Sequence, residues 1–314
     1  MSHSKTILVT GGVGFLGSHL CEKLISKHHK VICVDNLYSS RISNISKLQN
    51  NKDFQFYNQD VCKLSIKEKI DIIYNLACPA SPVHYQADPV RTIKTNVIGS
   101  INVLELAKKN NAKIFQASTS EVYGDPKLTP QDESYWGNVN PIGIRSCYDE
   151  GKRAAETLFF DYHRQHDLKI KVCRIFNTFG PRMAINDGRV ISNFIVQALR
   201  NKDLTIYGDG KQTRSFCYVD DLIDGIIAIT DTKDSFTGPL NLGTDIELSI
   251  NDIALKIIKL TDSKSKIKYL DPLSDDPMQR KPNLSLAKHT ISWEPKFSLD
   301  YGLKKTVEFF KKII

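Results

Sequence analysis

Methionine and tryptophan are scarce in this chain, cysteines are scattered, and no long apolar run occurs in its 314 residues. Each shortage excludes a class of protein. Without a stretch of about 18 apolar residues there is no candidate membrane span. The seven cysteines, at 21, 33, 62, 78, 147, 173 and 217, are odd in number and include no C-x-x-C pair. Neither a disulfide framework nor a zinc site is therefore expected, and no metal is assigned. Glycine (17) and proline (12) are too few for a collagen-like repeat. A chain with 41% hydrophobic and 25% charged residues is not disordered, and this length buries a core without staples.

The first apolar run, ILVT at 7–10, leaves no room ahead of it for a secretory leader. Together with the unpaired thiols, this makes a cytoplasmic location the expectation. The net charge is +8, but the lysines are spread in short runs, densest at 63–69, 264–268 and 304–312. That distribution suits a solvated surface and a basic pocket for an anionic small molecule better than a nucleic-acid partner.

Short apolar runs alternate with amphipathic stretches through the first 180 residues. The segments 7–10, 31–35, 54–60, 71–77, 112–118 and 171–176 read as strands, apolar enough to be covered on both faces. Helical patterns lie between them, best seen at 96–110 and 148–163. The alternation predicts an α/β fold with a Rossmann-type, doubly wound parallel sheet. Beyond residue 180 segments shorten and turn signals multiply (208–213, 237–243, 271–277), with late helices at about 250–261 and 299–313. The expected division is a dinucleotide-binding domain over 1–180, which also carries the catalytic residues, and a smaller substrate lobe over 181–314.

Three motifs carry chemistry. VTGGVGFLG at 9–17 follows a strand and opens a helix, the context in which a glycine loop holds a pyrophosphate on main-chain N–H groups. Gly11, Gly14 and Gly17 are its key positions, with Gly12 fitting an alternative spacing; a purely structural turn is the bland reading. Asp35, 18 residues beyond Gly17 at the end of the second strand, accepts hydrogen bonds from a ribose diol and repels a 2′-phosphate, which selects NAD over NADP. Asp60 ends the third strand and is assigned to the adenine side. Phe15, Leu16, Asn36, Val61 and Leu76 complete the expected cofactor contacts. Tyr148 and Lys152, spaced i, i+4, share a helix face, where an ammonium favours the phenolate of a tyrosine base. Alone, that pair also fits an ordinary surface helix. STSEVYG at 118–124 follows the fifth strand, offering the Thr119 and Ser120 hydroxyls and the Glu121 carboxylate where parallel sheets place functional groups. A simple strand-to-loop cap is the bland reading there.

In TGGVGFLG, STSEVYG and YDEGK the chain resembles the extended short-chain dehydrogenase/reductase family of nucleotide-sugar enzymes. Longer runs sharpen the resemblance: residues 76–96, YWGNVNPIGIRSCYDEGKRAAET, RIFNTFGPRM, DGRVISNF, YGDGKQTRSF, DDPMQRKP and WEP. They span essentially the whole chain and are similar to the members that decarboxylate UDP-glucuronate. The resemblance implies oxidation at C4 by bound NAD, loss of carbon dioxide from the 4-keto sugar, and return of the hydride to give UDP-xylose. It implies Tyr148 as base, Lys152 as its partner and nicotinamide-ribose contact, and Thr119 at O4. Ser120 replaces the Asp of 4,6-dehydratases, and simple 4-epimerases usually lack the acid at Glu121, so the pair favours decarboxylation. Glu121 and Ser120 are expected to serve the C5 carboxylate and reprotonation at C5. Arg280 is expected near the sugar carboxylate or diphosphate. Tyr85, Lys94, Asn177, Arg189, Gln212 and Arg214 are implied on the substrate side. A 4-epimerase or dehydratase, or a non-catalytic NAD-binding sensor, are the alternatives.

Two positions depart from the family pattern, Cys217 for Gln and Asp220 for Ser, and bear on how uridine is held. The resemblance also implies a homodimer through the helices near 90–110 and 148–165. Ala154, Ala155, Leu158, Phe159 and Tyr162 are read as apolar surface of the second helix.

Overall fold

The computed structural model describes residues 4–272 and 279–314. Most of the turn read at 271–277, and the DDPM portion of DDPMQRKP, lie outside the described residues.

All six expected strands form: β1 (Thr6–Thr10), β2 (Lys30–Asp35), β3 (Phe54–Asn58), β4 (Ile72–Asn75), β5 (Lys113–Thr119) and β6 (Ile170–Ile175). They pair in parallel in the order β6-β5-β4-β1-β2-β3, and a seventh strand, Leu240–Leu242, joins β6 at the edge. The chain turns outward in both directions from β1 and β4. Such a switch point opens a crevice at the carboxyl ends of the strands. A ladder of buried amides and a hydroxyl crosses it, with Thr10 Oγ1 donating to Asn75 Oδ1 (2.7 Å) and Asn75 Nδ2 to Gln116 Oε1 (2.8 Å).

Helices cover both faces. On one side lie α1 (Phe15–Ser26) and two helices of the second lobe; on the other lie a pair of short helices, α2 (Pro82–Ala87) and α3 (Pro89–Lys94), then α4 (Ser100–Asn110) and α5 (Ser146–His166). A π-helical turn, Thr95–Gly99, joins α3 to α4, so the helix expected at 96–110 starts earlier and is locally unwound. Helix α5 extends the expected 148–163 by two residues at its start and three at its end. Its buried face carries Tyr148, Lys152, Ala155, Glu156 and Phe159. Of the five apolar residues read on this helix, Ala155 and Phe159 are fully buried, and Ala154, Leu158 and Tyr162 stay half-buried.

The second lobe holds more regular structure than its sequence implied. Helices α6 (Val190–Leu199) and α7 (Val219–Thr230) occupy the stretch read as short segments and turns. Both are mostly buried and richer in apolar residues than α4 and α5. The Leu240–Leu242 strand lies inside the 237–243 turn signal and is wholly buried. The two late helices form as read, α8 at Ile250–Thr261 and, after α9 (Ser285–Ile291), α10 at Leu299–Phe310.

Candidate active site

The crevice is a cleft of about 470 Å³ lined by the glycine loop, the ends of β2 and β4–β6, α2, the start of α5 and residues of the second lobe. Its floor at the cofactor end is main chain. Gly11 is left-handed (φ +67°), and a Cβ there would lie 2.8 Å from the Leu76 carbonyl carbon. A Cβ on Gly17 would fall 2.1 Å from Gly11 O, so strand and helix touch only because that position has no side chain. Gly14 caps α1 without any side-chain hydrogen bond, leaving the first N–H groups of the helix as an anion site. Asp35 shapes the loop as well as lining the cleft. Its Oδ2 accepts from Val13 N (3.0 Å), and its Oδ1 from Leu37 N (2.8 Å) and Ser40 Oγ (2.7 Å). The cradle, the bare helix end and the carboxylate fit an adenine dinucleotide.

Phe15, Leu16, Asn36, Val61 and Leu76 line the same cleft. Asp60 does not: β3 ends at Asn58, and Asp60 caps the turn beyond it, accepting from Cys62 N (2.9 Å) and Asn36 Nδ2 (3.0 Å). It orients Asn36, which is the residue at the cleft. Lys94 is the second correction. It ends α3 with its side chain exposed, and Arg91 and Thr95, one turn before and one residue after, are the ones that face the cleft. Cys217 and Asp220 also lie off the cleft, buried in a short strand and half-exposed on α7 respectively, while Phe216 lines it.

At the centre, Tyr148 and Lys152 are both buried. Lys152 Nζ donates to Ala117 O at 2.9 Å and sits 5.8 Å from the Tyr148 ring centroid. Burial pushes the Tyr148 phenol up and the Lys152 ammonium down, while a hydrogen bond with Thr119 lowers the phenol's pKa. Lone burial thus opposes a phenolate, and extra positive charge at this spot is needed to ionise it. Tyr85 from α2 stacks on Tyr148, with centroids 5.0 Å apart and planes 10° from parallel.

The other end of the cleft is a charge cluster. Glu121, in the turn after β5, receives Arg280 as a fork, Nη1 to Oε1 at 2.7 Å and Nη2 to Oε2 at 2.8 Å. Arg145 Nη2 donates to the same Oε2 at 2.5 Å. Arg145 is the residue that the sequence reasoning missed; its only signal was its place in IRSCYDEGK, one turn before Tyr148 along the chain. Asn177, Arg189, Gln212 and Arg214 also line the cleft. Asp187 holds the Arg189 guanidinium 5.8 Å from the Phe15 ring centroid, and Gln212 Nε2 donates to Tyr207 O (2.7 Å). Below Ser118, Glu156 bridges the Ser118 hydroxyl (2.5 Å) and the Arg174 fork (2.9 and 3.0 Å), fixing β5 against α5.

A cleft of this design belongs to a dinucleotide-dependent enzyme that works on an alcohol carbon. Residues 7–243 match the NAD dependent epimerase/dehydratase family, and the chain belongs to that family. UDP-glucuronic acid decarboxylase 3 of Arabidopsis thaliana is 52% identical over 306 residues, covering 97% of this chain and 89% of the relative. UDP-glucuronic acid decarboxylase 1 of Xenopus tropicalis is 49% identical over 98% of this chain and 72% of the relative. Among solved structures, a UDP-glucuronic acid 4-epimerase from Bacillus cereus, in complex with UDP-glucuronic acid and NAD, superposes with a TM-score of 0.89 at 30% identity. It is covered completely, by 98% of this chain. A Thermotoga maritima UDP-glucose 4-epimerase with UDP-glucose gives 0.89 at 32% identity, over 98% of this chain and 99% of that one.

Proposed function

We propose that the chain is an NAD-dependent decarboxylase that converts UDP-glucuronate to UDP-xylose through a UDP-4-keto intermediate. The observation that carries the reading is the pair of guanidiniums, Arg280 and Arg145, gathered on Glu121 beside the Tyr148–Lys152 pair. Two arginines at the sugar end suit a substrate with a carboxylate, because their planar forks match its oxygens. The relatives at about half identity bear the same activity in their names.

The glycine loop and Asp35 would hold NAD, which would supply a reversible hydride acceptor for C4 and positive charge beside Tyr148. Tyr148 takes the O4 proton and returns it at the end. Lys152 keeps the developing phenolate low in energy, and Thr119 holds the O4 oxygen. The resulting ketone is β to the carboxylate, so the electrons of the breaking C5–C6 bond delocalise onto O4. Arg280 and Arg145 orient that carboxylate, while Arg189, Gln212, Arg214 and Asn177 hold the UDP moiety. In this reading NAD occupies the part built by 1–180, and the nucleotide sugar is held mainly by 181–314.

Helices α4 and α5, with the π-helical turn that precedes α4, support a homodimer, with Ile98, Ile101, Leu158 and Tyr162 as the apolar surface it would cover. Sedimentation at the 35.5 kDa of a single chain would overturn that part. The seven free thiols favour a cytoplasmic setting. Among the described residues no helix is long and apolar enough to cross a membrane.

The test is incubation with UDP-glucuronate and NAD, followed by mass analysis. Loss of the mass of carbon dioxide without net NADH is the expected result. An isomer of unchanged mass would establish a 4-epimerase instead, the activity printed for the similar structures.

A further inference from the structure

We propose that Tyr38 and Arg91 form a clasp that closes over the adenosine end of bound NAD and keeps the cofactor seated between the two hydride transfers. The proposal deepens the decarboxylase reading above and rests on it.

That reaction asks more of the cofactor site than affinity. Hydride leaves C4, carbon dioxide departs, and the same hydride returns. The protein must therefore hold the reduced cofactor through the loss of carbon dioxide, a step in which the cofactor takes no part. Each escape in that interval strands a UDP-4-keto pentose with no hydride to receive. The share of completed turnovers is set by the rate of hydride return against the rate of NADH release.

Two walls of the cleft meet at this end. One is the loop after β2, which leaves the sheet through a left-handed Leu37 (φ +57°). Leu37 N donates to Asp35 Oδ1 (2.8 Å) and Tyr38 N to Asn36 Oδ1 (3.1 Å). The other wall is the α2–α3 pair, which runs from Tyr85, stacked on Tyr148, to Arg91 and Thr95. Tyr38 and Arg91 both line the cleft, and the Arg91 guanidinium lies over the Tyr38 ring, 4.4 Å from its centroid. At that distance the π face of the ring attracts the cation.

Both partners are aimed before they meet. Asp88 caps α3: its Oδ1 accepts from Arg91 N (3.0 Å), and its Oδ2 lies 3.3 Å from Arg91 Nε. Tyr38 is carried by the turn that Asp35 and Asn36 fix, so the carboxylate suited to the ribose diol also places one half of the clasp. Tyr38 is half-buried and Arg91 is exposed. A contact between such groups is weak enough to open for an entering cofactor, yet it slows departure severalfold.

Stopped-flow fluorescence of the NADH-loaded enzyme mixed with excess NAD reads the release rate directly. R91Q and Y38L each release NADH about fivefold faster than wild type, and the double variant is no faster than either, because both remove one contact. Y38F keeps the ring and R91K keeps a cation, so both stay within about twofold of wild type. In turnover of UDP-glucuronate, R91Q and Y38L give a larger share of UDP-4-keto pentose with free NADH, and less UDP-xylose. Unchanged release in R91Q and Y38L, additive effects in the double variant, or Y38F as fast as Y38L would overturn the clasp. A wild type that yields no carbon dioxide would instead defeat the reaction reading, and the release rates would still decide whether the pair holds the cofactor.

Discussion

The two ends of the cleft are built from different materials. The cofactor end is main chain: seven consecutive residues, 11–17, place N–H groups and absent side chains where a pyrophosphate fits. The proposed sugar end is side chain, with Glu121, Arg145 and Arg280 brought together from a strand-end turn, a loop and the second lobe. A main-chain site tolerates no added atom, whereas a side-chain site tolerates changes of shape and responds to charge. One end thus recognises a constant cofactor, and the other is where the chemistry of a family member is chosen.

Substitutions at the two ends should therefore fail in different ways. The largest effect is expected where they meet: Y148F lowers kcat about 1,000-fold with little change in UDP-glucuronate binding, measured by steady-state kinetics and calorimetry. At the sugar end, R280Q lowers kcat/KM for UDP-glucuronate about 100-fold or more, because it removes a buried fork and leaves Glu121 half-paired. Its affinity for NAD stays within about twofold, which separates the ends cleanly. At the cofactor end, G17A forces a Cβ onto the Gly11 carbonyl, so NAD affinity falls at least about tenfold by fluorescence titration. D35N weakens NAD and narrows its preference over NADP about tenfold, since the repulsion of a 2′-phosphate is lost.

The smallest effect is on stability, and it has a sign. Asp149 in the fold has its pKa raised from 3.8 to about 7. Its contribution to stability is thus fully present below about pH 4 and is lost as pH rises through 7. D149N escapes that loss. Its Tm should match wild type below about pH 4, pull ahead as pH rises toward 7, and exceed it by a few degrees at pH 8, read by thermal unfolding.

How much could be read beforehand follows the same division. The glycine loop, Asp35 and the Tyr148–Lys152 pair are local patterns, because main-chain turns and one helical turn are fixed by neighbours in sequence. Asp60 is expected at the cleft from its position at a strand end, and Lys94 from the resemblance of the run that holds it. A capping bond turned the first to Asn36, and the helix phase turned the second to solvent. Arg145 was overlooked because nothing within its own stretch marks it; its partner Glu121 lies 24 residues away. The Leu240–Leu242 strand is three residues long inside a turn signal, and α6 and α7 stand between stretches rich in turn residues, which masked all three.

By itself the sequence determined the strand–helix alternation, the parallel sheet, the dinucleotide cradle and the Tyr148–Lys152 pairing on one helix face, all properties that act over a few residues. Only the tertiary structure decided which edge the seventh strand joined, which arginines closed on Glu121, and that Asp149 was left buried with an unpaired oxygen. Those depend on where distant segments pack. Charge in a water-poor cleft is set by everything within a few ångströms, however far apart along the chain.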